Sequence, residues 1–579
     1  MSFSLSAQRF TSLSFLSLLF VTLTGCSALT NPDADTTPQT AKLGEIKGNV
    51  HGGNQPVVGA RVYVYATGTG AYAGPGIAAS TANASTSLLN ADVISNNPSK
   101  WGYDGTNFYV TTAADGSFSL GGDYMCTLGT DVYLYATGGN PGSGTNPAAG
   151  FLALLGPCPY VNGTLASAVP FVWVNEITTV AAAYAFAGFA TDPTHVSNLS
   201  ASSTSLAAQG MNNAFASSKE LVNIATGAAL ATTTSGNGTA PQALLNSLGN
   251  ILASCVNSTG AMTSSPATNC YTLFTNTGTG TTLDTASVAI NIAQNPGSNV
   301  STIFGLQPST GAPFQPAASS TPNDFTVGVK FTGGGLNAPQ AIAIDGSGNA
   351  WVANISGNSI SEFNGSTGAA ISGTSGYTGG GLSGPAAIAI DGSGNAWVAN
   401  EFGNSISKFN GSTGAAISGA SGYTGGGLSF PERIAIDGSG NAWVANNQGS
   451  SISKFNGSTG AAISGTSGYT GGGLSNPVAI AIDGSGNAWV TNYTSISKFN
   501  GSTGAAISGT SGYTGGGLNF PYAIAIDGSG NAWVANVYGN SISKFNGSTG
   551  AAISGVSGYT GGGLNYPEGV AIDGSGNAW

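Results

Sequence analysis

Charge is what this chain has least of. Of its 579 residues only 6% are Asp, Glu, Lys or Arg, and 23 acids against 12 bases leave a net charge of -11. So few scattered cations form no basic stripe to neutralise phosphates, which argues against nucleic acid as a partner. An anionic membrane surface is an equally poor electrostatic partner. Histidine is nearly missing: His51 and His195 are the only two, which withholds the commonest general base from most of the chain. None of the five cysteines shows CxxC spacing, so cysteine-bound zinc is disfavoured. With so little charge, solubility must rest on Ser, Thr, Asn and backbone amides.

The first 25 residues have the build of an export signal. Arg9 supplies the positive start and "LSFLSLLFVTL" (Leu13 to Leu23) the apolar centre, too short for a spanning helix. The "LTGC" that follows is similar to the bacterial lipobox, and the resemblance implies that Cys26 becomes the lipidated first residue of the mature protein. An ordinary signal peptide with a chance cysteine is the alternative. Acyl chains on Cys26 would hold the protein to a bilayer at about 0.8 kcal/mol per buried methylene. Ser27 at the next position favours the outer membrane or cell surface. Four cysteines remain, and in an exported chain an even number favours disulfides. Of three connectivities, the sequential one, Cys126 to Cys158 and Cys255 to Cys270, keeps each bridge within one segment.

A tether (residues 26–43) precedes a β-rich region (44–173). The alternation in "ARVYVYA" marks a strand, and "FYVTTAADGSFSL" reads as a strand pair turning at Asp115 and Gly116. This pattern resembles the carboxypeptidase regulatory-like domain, a small β-sandwich, with an insertion; the resemblance implies a spacer and no catalysis. His51 sits in turn chemistry and reads as a solvated loop residue. Residues 174–307 change to helical spacing with Ala-rich faces. Glu176 falls in a first helical turn, where a carboxylate favours the helix dipole. A linker (308–323) leads to the last region, 324–579.

That region repeats itself. Trp351, Trp397, Trp443, Trp489, Trp533 and Trp579 are spaced 46, 46, 46, 44 and 46 residues apart. A period in the forties made of short strands and Gly-rich turns signals a β-propeller. Each unit reads as a four-stranded blade: "AIAID", the turn "DGSGN", "NAWVAN", then "SISKFN", the turn "NGSTG", and "AAISGTSGYTG". The tryptophans read as filler between stacked blades. The combination of "IAIDGSGNAWVAN" with "NSISKF" resembles the NHL repeat of bacterial surface proteins, related to the propellers of streptogramin lyase and some lactonases. Five complete copies and the start of a sixth are present. Trp579 falls in the middle of a second strand, where the other copies continue with "VAN" or "VTN", so the sequence is expected to be a fragment of a longer reading frame, with the native blade count, commonly six in this family, hidden. The fold class expected is therefore multidomain and mainly β: sandwich, Ala-rich helical middle segment, propeller.

The copies differ unevenly. "DGSGN" is the same in all six and "NGSTG" in all five, whereas the stretches before the first strand and after the second vary. Both variable stretches fall on one face of an up-and-down blade. They carry Glu401, Phe402, Phe430, Glu432, Arg433, Gln448, Tyr493, Phe520, Tyr522, Tyr538, Tyr566 and Glu568, an aromatic set suited to glycan or peptide contact. The expectation is a lipid-anchored surface propeller that binds an extracellular glycan or protein without catalysis, with no cofactor and no metal. A structural surface protein and a lyase- or lactonase-like enzyme with its active residues in a missing C-terminus are the alternatives. Asp345, Asp391, Asp437, Asp483, Asp527 and Asp573 tempt as catalytic carboxylates, but each opens the same turn, where an Asp bonds its own turn's amides.

Overall fold

The structure, a computed structural model, describes residues 40–578 except 43, 92–98, 122–123, 159–164, 199–205, 235, 279–283, 366, 562 and 573–577. The export signal, Cys26, Asp573 and Trp579 lie outside the described residues.

Two sheets form the first module. In the larger, β6 (Gly150–Pro157), β5 (Asp131–Thr137), β2 (Arg61–Ala66) and β3 (Phe108–Thr111) lie side by side. The smaller pairs β7 (Phe171–Val174) in parallel with β1 (Ile46–Gly52), which also receives β4 (Ser117–Leu120). Alternation in β2 explains the layering, because successive side chains point to opposite faces. Val62 and Val64 join Ile46, Val50, Phe118 and Val172 between the sheets. Tyr63 and Tyr65 face the other way, into a second core shared with the helices. The larger sheet is thus buried on both faces, which the alternating pattern alone does not reveal.

Two expectations for this module change. The strands around Asp115 and Gly116 do not pair with each other: β3 joins the larger sheet and β4 the smaller. Thr112, between them, is tied by its hydroxyl to Ala60 and Val57, which draws the chain across the sandwich before it turns. His51 belongs to β1 and stacks on Trp173 with ring centroids 4.5 Å apart. Burial lowers its pKa despite the Asp115 charge. The bridges Cys126–Cys158 and Cys255–Cys270 are both formed.

The helical segment contains α1 (Glu176–Phe186), α2 (Leu206–Ser218), α3 (Gln242–Val256), α4 (Asn269–Thr277) and α5 (Thr285–Gln294), together with short strand pairs such as Val222–Asn223 with Ala228–Ala229. Asn175 caps α1 in a capping box with Thr178. Ile177, Val180, Ala181 and Phe186 of α1 pack under Tyr133, Leu152 and Leu154 of the larger sheet. Among the described residues no helix is long and apolar enough to cross a membrane.

Five three-stranded blades follow among the described residues. Their first strands begin at Pro339, Pro385, Pro431, Ile480 and Pro521 and lie side by side in succession, as around a propeller axis. The expected fourth strand is not one: "AAISGTSGYTG" meets the third strand only at isolated bridges, Ile360 with Tyr377 and Phe363 with Ala370 in blade 1. Positive φ at Gly368, Gly373 and Gly376 keeps this stretch from lying flat as a strand. Trp351, Trp397, Trp443 and Trp489 each pack against the following blade, so that Trp351, Ala353 and Ile360 share one core with Ile388, Val398 and Phe409.

Glu176 shows how far burial outweighs the dipole. Both its carboxylate oxygens accept the Gly53 amide at 3.0 Å, yet desolvation lifts its pKa to about 8. Because the folded value exceeds the unfolded one, this stabilisation is complete below pH ~4.5 and is lost as pH rises through about 8. Glu176→Gln should melt at a higher temperature than the parent at pH 9 and within about 1 °C of it at pH 5. Circular dichroism melts at the two pH values check this, and equal melting at pH 9 would remove burial as the cause.

Candidate functional site

The invariant face of the propeller is occupied by a repeated polar cluster. In blade 2, Asp391 accepts the backbone amides of Ser393 and Asn395, the indole Nε1 of Trp397 at 3.0 Å, and the Lys408 ammonium at 3.0 Å. Lys408 lies 4.6 Å from the Trp397 ring centre and donates to the Gly457 carbonyl of blade 3 at 2.7 Å. Asp437 with Lys454 and Asp483 with Lys498 repeat this arrangement, including the bond to the next blade. Asp527 pairs with Lys544 at 3.1 Å. Burial opposes ionisation of Asp391, but the Asn395, Trp397 and Lys408 hydrogen bonds together hold its carboxyl below the ordinary value. These carboxylates have their acceptor positions filled by turn, indole and ammonium, so they are scaffold.

Blade 1 departs from the pattern, because Glu362 stands where the others have lysine. Glu362 accepts from the Tyr377 hydroxyl at 2.8 Å and from the Asn349 amide. Burial raises its pKa, and the charge of Asp345 adds to the rise. Among the described residues no group of three or more His, Cys, Asp or Glu converges to hold a metal ion.

The variable face is built differently. The residue before each first-strand proline has positive φ in every copy: Ala338 (52°), Gly384 (61°), Phe430 (57°), Asn476 (47°), Phe520 (55°) and Tyr566 (50°). A neighbouring loop fastens three of them, since Asn358 Oδ1 accepts the Gly384 amide, Asn404 Oδ1 that of Phe430, and Asn540 Oδ1 that of Tyr566, at 2.6–2.7 Å. The left-handed region costs a bulky L-residue about 1–2 kcal/mol. Glycine and asparagine occupy it readily in sister blades, whereas three copies hold aromatic rings there.

These rings meet others from adjacent loops. Phe402 lies 6.3 Å from Phe430. Phe520 meets Tyr493 edge-on at 4.7 Å and Tyr538 at 4.7 Å, and Tyr538 meets Tyr566 at 6.2 Å. Phe402 (62%), Tyr493 (54%), Tyr538 (59%) and Tyr566 (58%) are exposed, so the band faces solvent. Glu432, Arg433 and Tyr522 sit on first strands rather than loops. The Arg433 guanidinium of blade 3 lies 5.9 Å from the Tyr522 ring centre of blade 5. Burial raises the pKa of Glu432 and of Glu401, and Arg433 opposes both rises. Gln448 and Glu568 are exposed and make no ring contact. The structure therefore brings together two aromatic groups and an acid–base cluster, and leaves these two residues apart.

Sequence reasoning missed the lysines that join blade to blade and the asparagines that fasten the loops. Their signal was present: Lys408, Lys454, Lys498 and Lys544 recur with the same period as the aspartates.

No family model matches the chain, and no curated protein is similar to it. Solved structures do show a likeness. A catalytically inactive virginiamycin B lyase from Staphylococcus aureus is 17% identical, with 43% of this chain and 79% of that one covered and a TM-score of 0.36. A gluconolactonase from Xanthomonas campestris is 13% identical over 42% of this chain and 82% of that one, at 0.31. The extracellular domain of a putative one-component system from B. thetaiotaomicron is 19% identical over 42% and 32%, at 0.30. The expectation that the chain is not an enzyme is corrected by this set, which includes a lyase and a gluconolactonase. Absence of histidine from the propeller was too narrow a ground for that exclusion.

If the aspartates are scaffold, Lys454→Met should leave Asp437 buried without its partner and lower stability by about 3–5 kcal/mol. Chemical denaturation measures it, and a loss below 1 kcal/mol would mean the pair is solvated.

Proposed function

We propose that the protein is an exported, lipid-anchored cell-surface protein whose NHL-type propeller binds an extracellular glycan or protein on its variable face. The lipid on Cys26 would connect it to a bacterial outer membrane or cell surface, and a carboxypeptidase regulatory-like sandwich would space the propeller from it. Ligand contacts are assigned to Phe402, Phe430, Tyr493, Phe520, Tyr522, Tyr538 and Tyr566, with Glu401, Glu432, Arg433, Gln448 and Glu568 supplying polar ones.

One observation carries this reading: aromatic residues occupy left-handed backbone positions that Gly384 and Asn476 fill in sister blades. Backbone strain persists where something else requires the side chain. Exposed, mutually supporting rings lose little conformational freedom on binding and offer large apolar faces. Such faces stack on sugar rings and on apolar peptide side chains alike.

Two measurements test it. A glycan and peptide array probed with the whole chain should yield a ligand that a Phe402, Tyr522, Tyr538 and Tyr566 to Ala variant binds at least ~10-fold more weakly, the effect of losing about 1.4 kcal/mol. Equal binding by the two proteins would move the site off this face. Phe430→Asn, which copies Asn476, should raise stability by up to about 1 kcal/mol while weakening the same ligand. Denaturation and titration of this one variant reveal whether strain and binding are traded against each other.

A further inference from the structure

Where the sandwich meets the helical segment, outside the propeller, a cavity of about 410 Å³ opens between the end of β1, the strand β7, the turn at residues 226–229, the start of α3 and residues 313–315. Its volume falls within the ~300–1,000 Å³ of small-molecule sites. Part of its wall is aromatic, formed by the stacked His51 and Trp173 rings. No Lys, Arg, Asp or Glu lines it, and His51, whose pKa burial lowers, is neutral at pH 7.

Contacts behind the lining hold it in one shape. Gly227 has φ 66° and sits against the tryptophan, where a Cβ would lie 2.2 Å from Trp173 Cδ1 and 2.6 Å from Asn175 Nδ2. Asn175 Nδ2 in turn donates to the Gly227 carbonyl at 2.9 Å. The Gly53 amide, also in the lining, is held by both oxygens of Glu176. A wall fixed in this way spares a ligand the cost of ordering it.

One face of α3 shows what the cavity offers. Gln242, Asn246 and Asn250 stand one turn apart, and each amide nitrogen donates to a backbone carbonyl: to Ala229 at 2.9 Å, Pro316 at 2.8 Å and Phe314 at 2.9 Å. Asn250 uses its oxygen as well, which accepts the Phe314 amide at 3.0 Å. The oxygens of Gln242 and Asn246 receive no hydrogen bond from a described residue, and it is these two side chains that line the cavity. Asn246 is only 3% exposed, so its unused acceptor is a cost that a donor inside the cavity offsets. Asn54 and Gln315, exposed residues of the lining, add amide N–H donors.

We propose that this cavity binds a neutral sugar ring, free or at the end of a glycan. A hydroxyl donates and accepts through the same atom, which suits a site that presents amide oxygens and amide N–H groups without charge. The C–H groups of the sugar pack on the Trp173 and His51 rings. An anion finds no cation in the lining and an ammonium ion no carboxylate, so either would be desolvated without a partner. The site shares no residue with the variable face of the propeller and stands whether or not that face binds a ligand.

Saturation-transfer NMR on the whole chain tests this with glucose, galactose, mannose and N-acetylglucosamine, with maltose, lactose and chitobiose, and with the charged glucuronate and glucosamine. At least one neutral sugar should bind, and more tightly than either charged one. Tighter binding of a disaccharide than of its monosaccharide supports a glycan end as the ligand, and equal binding supports a free sugar. Asn54→Ala with Gln315→Ala should weaken the bound sugar about 10-fold, as should Gln242→Leu, while the Phe402, Tyr522, Tyr538 and Tyr566 to Ala variant should bind it like the parent. Circular dichroism melts check the fold of each variant; Gln242→Leu also loses its bond to Ala229, so the double variant of two exposed residues decides if that one unfolds. No neutral sugar bound at up to about 50 mM overturns the proposal. So does a charged sugar bound as tightly as the neutral ones, or binding that the double variant keeps and the propeller variant loses.

Discussion

The propeller depends on a buried ion pair that is used as a joint. An aspartate and a lysine withdrawn from water are costly unless every remaining hydrogen-bonding position is filled. Here the bonds cross between blades: the aspartate accepts from two amides, an indole and the ammonium, and the lysine donates one N–H to the next blade's glycine carbonyl. None of blades 2 to 5 can shift relative to its neighbour in that series without stranding a charge. This accounts for an invariance that the two turns would not need as turns alone. Asn441 reinforces it by accepting the Gly457 amide, which fastens one constant turn to the other within blade 3.

With one face held this way, the other is free to differ. The loops there need only reach the left-handed residue before each proline and meet the neighbouring loop's asparagine. Any side chain can then be displayed from that position, at a conformational cost that depends on the residue. The division of labour is therefore chemical: charge and indole fix the scaffold, and rings and amides vary on the display side. Glu362, in the first blade, is the place where the joint ends. A carboxylate there cannot donate to the next blade, and a tyrosine hydroxyl satisfies it instead.

Much of this was legible in the sequence because repetition is its own alignment. Tryptophan spacing revealed the blades, and differences among copies revealed the two faces and the aromatic band. What was not legible depended on distance in space. Arg433 and Tyr522 come from blades 3 and 5, and no local pattern links them. The strands flanking Asp115 carry a hairpin signature, yet a buried hydroxyl at Thr112 sends them to separate sheets. Glu176 has the address of a dipole-stabilised carboxylate, but complete burial reverses its preference. The fourth strand does not form because glycines in the left-handed region, Gly373, Gly376 and Gly379 in blade 1, recur through the whole stretch.

The placement of the lysines also shapes how the protein ages. From residue 332 onward the basic residues are Lys408, Arg433, Lys454, Lys498 and Lys544. Lys408, Lys454 and Lys498 are committed to the blade joints and at most 9% exposed, Lys544 is held by Asp527 of its own blade, and Arg433 is partly buried. A protease that cuts after basic residues finds no fully exposed basic residue there, and amine-directed chemistry such as glycation meets ammonium groups already enclosed. The interaction that positions the blades thus also shields the basic side chains from such agents.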